Sequence, residues 1–207
     1  MYVSAQPNFK NHANETSVCN CGSLEENCRI TTVMVNGFCI MNEFNVTQNR
    51  IKKDLGGYDV QSITSDSFIT YVNVVENNQS TGNFNHHSCN STYPSIFKIN
   101  FCNYLRNKAN AGQLIYSNTD LFMSYCCIFK NKVDFIFRTV SGTVTFENST
   151  TDSISSMYAF PTFKYTYYKK CPSFYKTQLN DQNEEEGEYF LIMFVKRTYI
   201  FAFLFTI

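Results

Sequence analysis

Alternation of apolar and polar residues along the chain predicts β-strands, and no stretch shows a helical period. The clearest pattern lies in residues 28–41, where ITTVMV is followed by Asn36-Gly37 and then by FCIM. Asn-Gly tolerates the positive φ angles that a two-residue hairpin turn requires, and β-branched residues favour strands. The pattern therefore predicts a β-hairpin in which residues 31–35 pair with residues 38–41.

Two later segments show a similar but weaker alternation. Residues 133–147 contain VDFIFRTV and TVTFE on either side of Ser141-Gly142, which predicts a second hairpin. Residues 156–168 also alternate, and Pro161 restricts that segment to an edge strand. Residues 42–88 are polar and rich in Asn, Ser and Gln. We expect a loop insertion there.

The C-terminal part divides into an acidic and a hydrophobic segment. Residues 177–188 (TQLNDQNEEEGE) are typical of a solvated linker and place a boundary near residue 172. Residues 189–207 are long enough to span a membrane. However, Lys196 and Arg197 near their centre each oppose insertion by roughly 2.5–3.5 kcal/mol. A membrane anchor, a terminal strand and a translated noncoding extension all fit this tail, which we expect to lie outside the folded core.

Composition narrows the classes of function. The chain carries 17 basic and 17 acidic residues, so its formal net charge is zero. Without a positive field, nucleic acid is not an expected partner. The abundance of Asn and Phe is explained by AT-rich codons. Five Asn-x-Ser/Thr sequons, about the number that chance would give in so Asn-rich a chain, mark candidate glycosylation sites at Asn14, Asn45, Asn78, Asn90 and Asn148.

Cysteine usage indicates the compartment. Nine cysteines in 207 residues favour disulfides, which persist in oxidising compartments, so an extracellular or cell-surface location is predicted. Residues 1–18 lack the apolar run of a signal peptide. Either the start of the gene product is incomplete, which is the interpretation we favour, or the compartment inferred from the cysteines is wrong. Only three histidines occur, and no zinc-ligand spacing is found. No metal and no cofactor are therefore predicted.

Catalytic motifs are not recognisable in the sequence. It contains no G-x-S-x-G, no H-E-x-x-H, and no glycine-rich phosphate loop. His86-His87 precedes Cys89, but adjacent side chains on a loop usually point apart. Glu184–Glu186 is more typical of a solvated spacer than of a cation site. We therefore predict a binding protein rather than an enzyme.

The order of the cysteines resembles a known family. Cys19-x-Cys21, Cys28, Gly37-Phe38-Cys39-Ile40, Cys89, Cys102 and Tyr125-Cys126-Cys127 are similar to the extracellular domain of activin-receptor type proteins, which bind TGF-β superfamily ligands. The resemblance covers residues 17–130. It implies a mainly β fold, namely a small disulfide-stapled three-finger domain with a long loop insertion and a C-terminal extension at residues 131–176.

The resemblance also implies bonds, ligand contacts and a partner. The implied disulfide pairs are Cys19–Cys39, Cys28–Cys89 and Cys102–Cys126, with Cys127 left for Cys171. Ligand contact in such domains uses apolar finger residues, here Val33, Val35, Phe38 and Ile40, although hairpin residues of this kind more often belong to a core. The implied partner is a protein growth factor, and the receptor's kinase would lie outside this chain. A secreted, disulfide-rich and non-catalytic interaction protein of another family is the alternative.

Overall fold

The computed structural model describes residues 1–6, 9–28, 31–64, 67–89, 96–158, 161–166 and 171, and all regular secondary structure in them is β-strand. The strands are β1 (Tyr2–Ser4), β2 (Lys10–Cys19), β3 (Val33–Val35), β4 (Phe38–Thr47), β5 (Arg50–Lys53), β6 (Asp59–Ile63), β7 (Phe68–Thr70), β8 (Asn73–Val75), β9 (Asn78–Cys89), β10 (Phe97–Asn100), β11 (Asn103–Leu105), β12 (Lys108–Ser117), β13 (Leu121–Ser124), β14 (Cys127–Phe129), β15 (Phe135–Thr139), β16 (Val144–Glu147), β17 (Thr150–Thr151), β18 (Ser156–Met157) and β19 (Thr162–Lys164).

These strands form two sheets with parallel pairing. One sheet has the order β1-β3-β6-β9-β12-β15-β18, with β5 also paired to β9. The other has the order β17-β14-β11-β8-β4-β7-β10-β13-β16-β19, with β2 also paired to β4. The chain passes from one sheet to the other and back, and each strand pairs with its equivalent in the next turn. The fold is therefore a parallel β-solenoid of about four turns.

The chain changes direction at single residues in the left-handed conformation. These residues recur at equivalent positions of successive turns and form two columns, with φ between 50° and 57°. The first column contains Glu43, Tyr71, Phe101 and Tyr125, and the second contains Gln48, Glu76, Arg106 and Lys130. Because such a conformation costs roughly 1–2 kcal/mol in an L-residue, each corner requires stabilisation from its neighbours.

A ladder of asparagines supplies that stabilisation directly after the second column. Its members are Asn49, Asn77, Asn107 and Asn131. The Oδ1 atom of Asn77 accepts hydrogen bonds from the main-chain N and from Nδ2 of Asn49, both at 3.0 Å. Asn107 and Asn131 accept from the preceding ladder asparagine in the same way. The ladder therefore joins each turn to the next and fixes their register.

Inward-facing side chains from both sheets fill the interior. Along β4, Cys39, Met41, Phe44 and Val46 are fully buried, and the side chains between them are partly exposed. The bulkiest fully buried side chains outside β4 are Tyr58, Tyr104, Phe84, Phe97, Phe137 and Phe146. Because burial of one such apolar side chain contributes roughly 1.5–3 kcal/mol, this interior is the main source of stability.

A polar network crosses this interior. The Tyr58 hydroxyl lies 2.9 Å from Nε2 of His87 and 2.7 Å from the Tyr104 hydroxyl. Nδ1 of His87 donates to the carbonyl of Tyr116 at 3.2 Å, so Nε2 accepts from Tyr58, which in turn accepts from Tyr104. Complete burial, together with the nearby His86, lowers the pKa of His87 to about 3. The imidazole is neutral in the folded protein.

We expect this histidine to make the fold acid-sensitive. The unfolded imidazole takes up a proton near pH 6.5, but the folded one does so only near pH 3. The unfolded state therefore binds more protons between these values, and stability falls by up to about 1.4 kcal/mol per pH unit as the pH decreases. Urea unfolding at pH 7, 6, 5 and 4 measures the slope. His87→Gln should reduce the dependence of stability on pH, whereas His12→Gln, at an exposed site, should leave it unchanged. Equal slopes in the two variants would contradict the assignment of the acid sensitivity to His87.

The predicted three-finger fold and its hairpins are wrong. Asn36 and Gly37 do have positive φ, at 62° and 68°, but β3 pairs with β1 and β6 while β4 belongs to the other sheet. The Asn-Gly turn is thus a corner of the solenoid. Ser141-Gly142 likewise joins β15 in one sheet to β16 in the other. The sequence pattern correctly predicts a turn with positive φ at Asn36-Gly37, but such a turn occurs at a solenoid corner as well as in a hairpin.

The predicted loop insertion at residues 42–88 is also wrong. This region contains the end of β4, all of β5 to β8, and β9 except for its last residue, Cys89. Its polar composition is explained by outward-facing positions and by ladder asparagines, which a solenoid requires at its corners.

Of the segments predicted in the C-terminal part, only the first lies largely within the described residues. Residues 156–168 supply β18 and β19, each at the end of a sheet. The acidic segment 177–188 and the tail 189–207 lie outside the described residues. Within the described part of the chain, no helix has the length and apolar character that crossing a membrane requires.

Candidate functional site

A polar cleft of about 620 Å³ lies beside the second column of corner residues. We call it the corner cleft. It is lined by Asn20, Cys21, Gly22, Gln48, Arg50, Glu76 and Asn78. These residues come from equivalent positions in three successive turns. The main-chain N–H of Cys21 donates to Asn49 Oδ1, as the main-chain N–H of each ladder asparagine donates to the next one. The cleft is therefore assembled across successive turns.

Local backbone geometry determines its shape. Gln48 and Glu76 occupy corner positions. Gly22 has a φ of 82°, and a Cβ there would lie 2.3 Å from the carbonyl oxygen of Arg50. That residue's N–H in turn donates to the carbonyl of Cys21 at 2.8 Å. Only glycine allows the segment after β2 to lie so close to β5, and this contact forms one wall of the cleft.

Glu76 is the electrostatic centre of the cleft. Its carboxylate accepts from Gln48 Nε2 at 3.0 Å and from Arg106 Nε at 2.9 Å, and its side chain is 31% exposed. Partial burial alone would raise the pKa of this carboxyl. The two hydrogen bonds and the charge of Arg106 outweigh burial and hold the pKa below its usual value. Glu76 is therefore ionised near neutral pH and acts as a hydrogen-bond acceptor.

The lining combines donors and acceptors with balanced charge. Three amides line it beside one guanidinium and one carboxylate, and an amide both donates and accepts. Glycoside hydrolysis generally uses two carboxyl groups, one of them protonated, whereas Glu76 is the one carboxylate of this lining and is ionised. The arrangement fits the binding of neutral polar groups better than acid–base chemistry.

The four sequence-predicted ligand contacts lie elsewhere. Val33 and Val35 are in β3, and Phe38 and Ile40 are in β4, on the two sides of the Asn36-Gly37 corner. Val33 is buried and the other three are half-buried. None of the four lines the corner cleft.

The cysteines form one disulfide among the described residues. It joins Cys127 to Cys171. Cys39, Cys102 and Cys126 are buried free thiols, and burial raises the pKa of Cys39 to about 12. Cys19 and Cys21 are exposed free cysteines, and Cys28 is a half-buried one. The pairs Cys19–Cys39, Cys28–Cys89 and Cys102–Cys126, which the resemblance implied, are not bonded in this structure.

The candidate glycosylation sites differ in their surroundings. Asn14 is exposed on β2, and Asn148 is half-buried at a corner with a φ of 47°. Asn45 accepts from Nδ2 of Asn73 at 2.7 Å. Asn78 lines the corner cleft. Asn90 lies outside the described residues.

An internal repeat carries the cleft and was missed in the sequence. Four segments share apolar residues at their first and third positions, a variable corner residue and a final asparagine: FNVTQN, VNVVEN, CNYLRN and CCIFKN, ending at Asn49, Asn77, Asn107 and Asn131. Their asparagines are spaced by 28, 30 and 24 residues. Such a period is the signature of a solenoid, but its variable length and the abundance of Asn elsewhere hid it.

The fold and the cleft define the chain as a parallel β-solenoid protein with a polar cleft along one corner. Comparisons with protein families, with curated proteins and with solved structures found no match. The resemblance to activin-receptor type domains is therefore wrong, because no family matches and the fold is a solenoid. The growth-factor partner was implied by this resemblance alone, and these comparisons give it no support.

Proposed function

We propose that the chain is an extracytoplasmic binding protein that holds a neutral, hydroxyl-rich ligand, a short segment of a glycan, in the corner cleft. The observation that carries the proposal is the lining itself, in which three amides, one guanidinium and one carboxylate from successive turns converge. The Cys127–Cys171 disulfide supports a location outside the cytosol.

The chemistry of the lining favours hydroxyl groups. A sugar hydroxyl donates one hydrogen bond and accepts others, so it satisfies both the amides and the charged groups. Arg50 donates and Glu76 accepts, so the charged groups of the lining also match the two roles of an uncharged hydroxyl. Neighbouring turns are about 4.8 Å apart, so the three turns extend over roughly 10 Å of a ligand that lies along the solenoid axis.

The state of Glu76 supports binding rather than turnover. Arg106 and Gln48 hold its carboxylate in place before any ligand arrives, so it is preorganised as an acceptor. An acceptor that is already fixed loses little conformational freedom on binding. This arrangement suits recognition of a donor hydroxyl.

The proposal predicts a specific loss of affinity in Arg50→Gln. Because hydrogen bonds to charged groups contribute roughly 1.5–3 kcal/mol, we expect binding to an oligosaccharide to weaken by about tenfold or more. Lys53→Gln is the matched control, since Lys53 is an exposed cation on the same strand and lies outside the lining. Isothermal titration with ligands selected from an array of neutral and acidic glycans measures the effect.

Three outcomes would decide the matter. Binding of neutral glycans that Arg50→Gln weakens and Lys53→Gln spares supports the proposal. Equal effects of the two substitutions, or no binding of any glycan on the array by the full chain, would overturn it.

A further inference from the structure

The outer surface of β6, β9, β12 and β15 carries a row of polar and aromatic side chains. The strand register pairs Asp59 with His86, His86 with Tyr116, and Tyr116 with Arg138. We call these four residues the outer row. It shares no residue with the lining of the corner cleft.

Asp59 orients the imidazole of His86. The Asp59 carboxylate is fully buried, and its Oδ1 lies 2.8 Å from Nδ1 of His86. Gln61 Nε2 donates to the other carboxylate oxygen. Because Nδ1 donates to Asp59, the neutral imidazole presents an acceptor at Nε2, and that buried atom has no hydrogen-bond partner within the described residues. His87, the next residue, points into the core instead.

Arg138 is held at the other end of the row. Its guanidinium carbon lies 5.2 Å from the Tyr116 ring centre and 5.5 Å from the Tyr158 ring centre, and Nη1 donates to Gln113 Oε1 at 3.2 Å. The two rings and the amide fix the plane of the guanidinium. Its Nε–H is buried and lacks a partner within the described residues.

Orphaned groups of this kind require an explanation. A buried donor or acceptor without a partner costs roughly 1–3 kcal/mol, and such groups mark ion sites, water sites or functional strain. Here one orphaned acceptor and one orphaned donor belong to two fixed side chains of the same row. Tyr158, which lies over the guanidinium, is 68% exposed and has a φ of 76°.

We propose that the outer row binds a ligand that carries an oxyanion, a carboxylate or a phosphate, together with hydroxyl groups. The oxyanion accepts from the Nε edge of Arg138, where a guanidinium makes two parallel hydrogen bonds. A ligand hydroxyl donates to Nε2 of His86. Two strand spacings, roughly 10 Å, separate the two residues, and the Tyr116 ring contacts the ligand between them.

The NMR resonances of the arginine Nε–H groups test the contact between the oxyanion and Arg138. The chain has five arginines, Arg29, Arg50, Arg106, Arg138 and Arg197, so their nitrogen-15 correlation peaks are few enough to assign by substitution. Sodium phosphate and sodium acetate are titrated into the full chain at constant ionic strength, set with sodium chloride. We expect a saturable shift of the Arg138 Nε–H peak with at least one anion, and the stronger anion identifies the group. Parallel, unsaturable shifts of Arg138 and Arg50 would overturn the proposal.

Substitutions test the geometry of the site. Arg138→Lys keeps the charge but loses the planar edge, so affinity for the stronger anion, measured by calorimetry, should fall by about tenfold or more. Lys98→Gln, at an exposed position of β10 in the other sheet, should leave it unchanged. Equal affinities in Arg138→Lys and the parent would contradict a site at Arg138.

Gluconate, an extended hydroxy acid, tests the contact at His86. It should bind more tightly than acetate, since it carries hydroxyls from the carboxylate toward His86. His86→Asn retains an amide donor for Asp59 but removes Nε2, and it should abolish the advantage of gluconate while leaving acetate binding unchanged. A gluconate advantage that persists in His86→Asn, or that is missing in the parent, would overturn this part of the proposal. Arg138 and His86 do not line the corner cleft, so the differences between the parent and these two variants report the outer row, and a failure of glycan binding in the cleft leaves them intact.

Discussion

Replacing Asn77 with alanine is expected to lower the free energy of unfolding by about 3–5 kcal/mol. Asn77 is 1% exposed and occupies the middle of the ladder. Its Oδ1 accepts two hydrogen bonds from Asn49, and its Nδ2 donates to Asn107 Oδ1 at 3.0 Å and to the Val46 carbonyl at 2.8 Å. The alanine variant removes the acceptor of the Asn49 main-chain N–H and the side-chain donor to the Val46 carbonyl, whereas Asn107 Oδ1 keeps the main-chain N–H of residue 77. Each lost partner has a cost of its own.

Urea unfolding at neutral pH measures this effect. Asn118→Ala is the matched control, because Asn118 is exposed and lies outside the ladder, and we expect it to change stability by less than about 0.5 kcal/mol. Similar losses in the two variants would show that the ladder does not stabilise the corners.

Gly112→Ala is expected to destabilise the solenoid by about 3 kcal/mol or more, or to prevent folding. Gly112 in β12 pairs with Gly82 in β9. A Cβ on Gly112 would lie 2.0 Å from the carbonyl oxygen of Gly82. That oxygen belongs to the backbone of the neighbouring turn and cannot rotate away as a side chain would. The two turns would have to separate.

Thermal unfolding and far-ultraviolet circular dichroism report the consequence. Ala111→Ser, at the exposed neighbouring position of the same strand, should unfold close to the parent. If Gly112→Ala unfolds at the parent temperature, the close approach of β9 and β12 at this point is not required by the fold.

Several features of the solenoid follow from local sequence. Residues 33–35 and 38–41 were predicted as strands and lie in β3 and β4, whereas the rest of β4, from Asn42 on, was predicted as loop. Asn36 and Gly37 were recognised as positive-φ residues. These are properties of single segments, and neighbouring residues alone determine them.

Strand partners could not be obtained in this way. Paired strands of the solenoid lie 17 to 31 residues apart, from Thr145 with Thr162 to Tyr2 with Val33. The ladder bonds from Asn49 to Asn77 and from Asn107 to Asn131 span similar distances in sequence. A strand with an apolar face fits a hairpin and a solenoid equally well. The cysteine order, interpreted as a disulfide framework, then favoured the wrong one.

Both candidate sites depend on that long-range pairing. In the sequence, nothing distinguishes Glu76 and Arg106 from other charged residues. They occupy equivalent corners of neighbouring turns, and this places Arg106 Nη2 at 2.7 Å from Glu76 Oε1. Asp59 and His86 likewise meet because β6 and β9 are neighbours in the sheet. Local chemistry determined which residues form strands and corners. The stacking of turns decided which side chains are neighbours. Main-chain hydrogen bonds between parallel strands do not depend on residue type, so they do not by themselves select a partner strand. The register, the buried asparagine ladder and close packing make that selection.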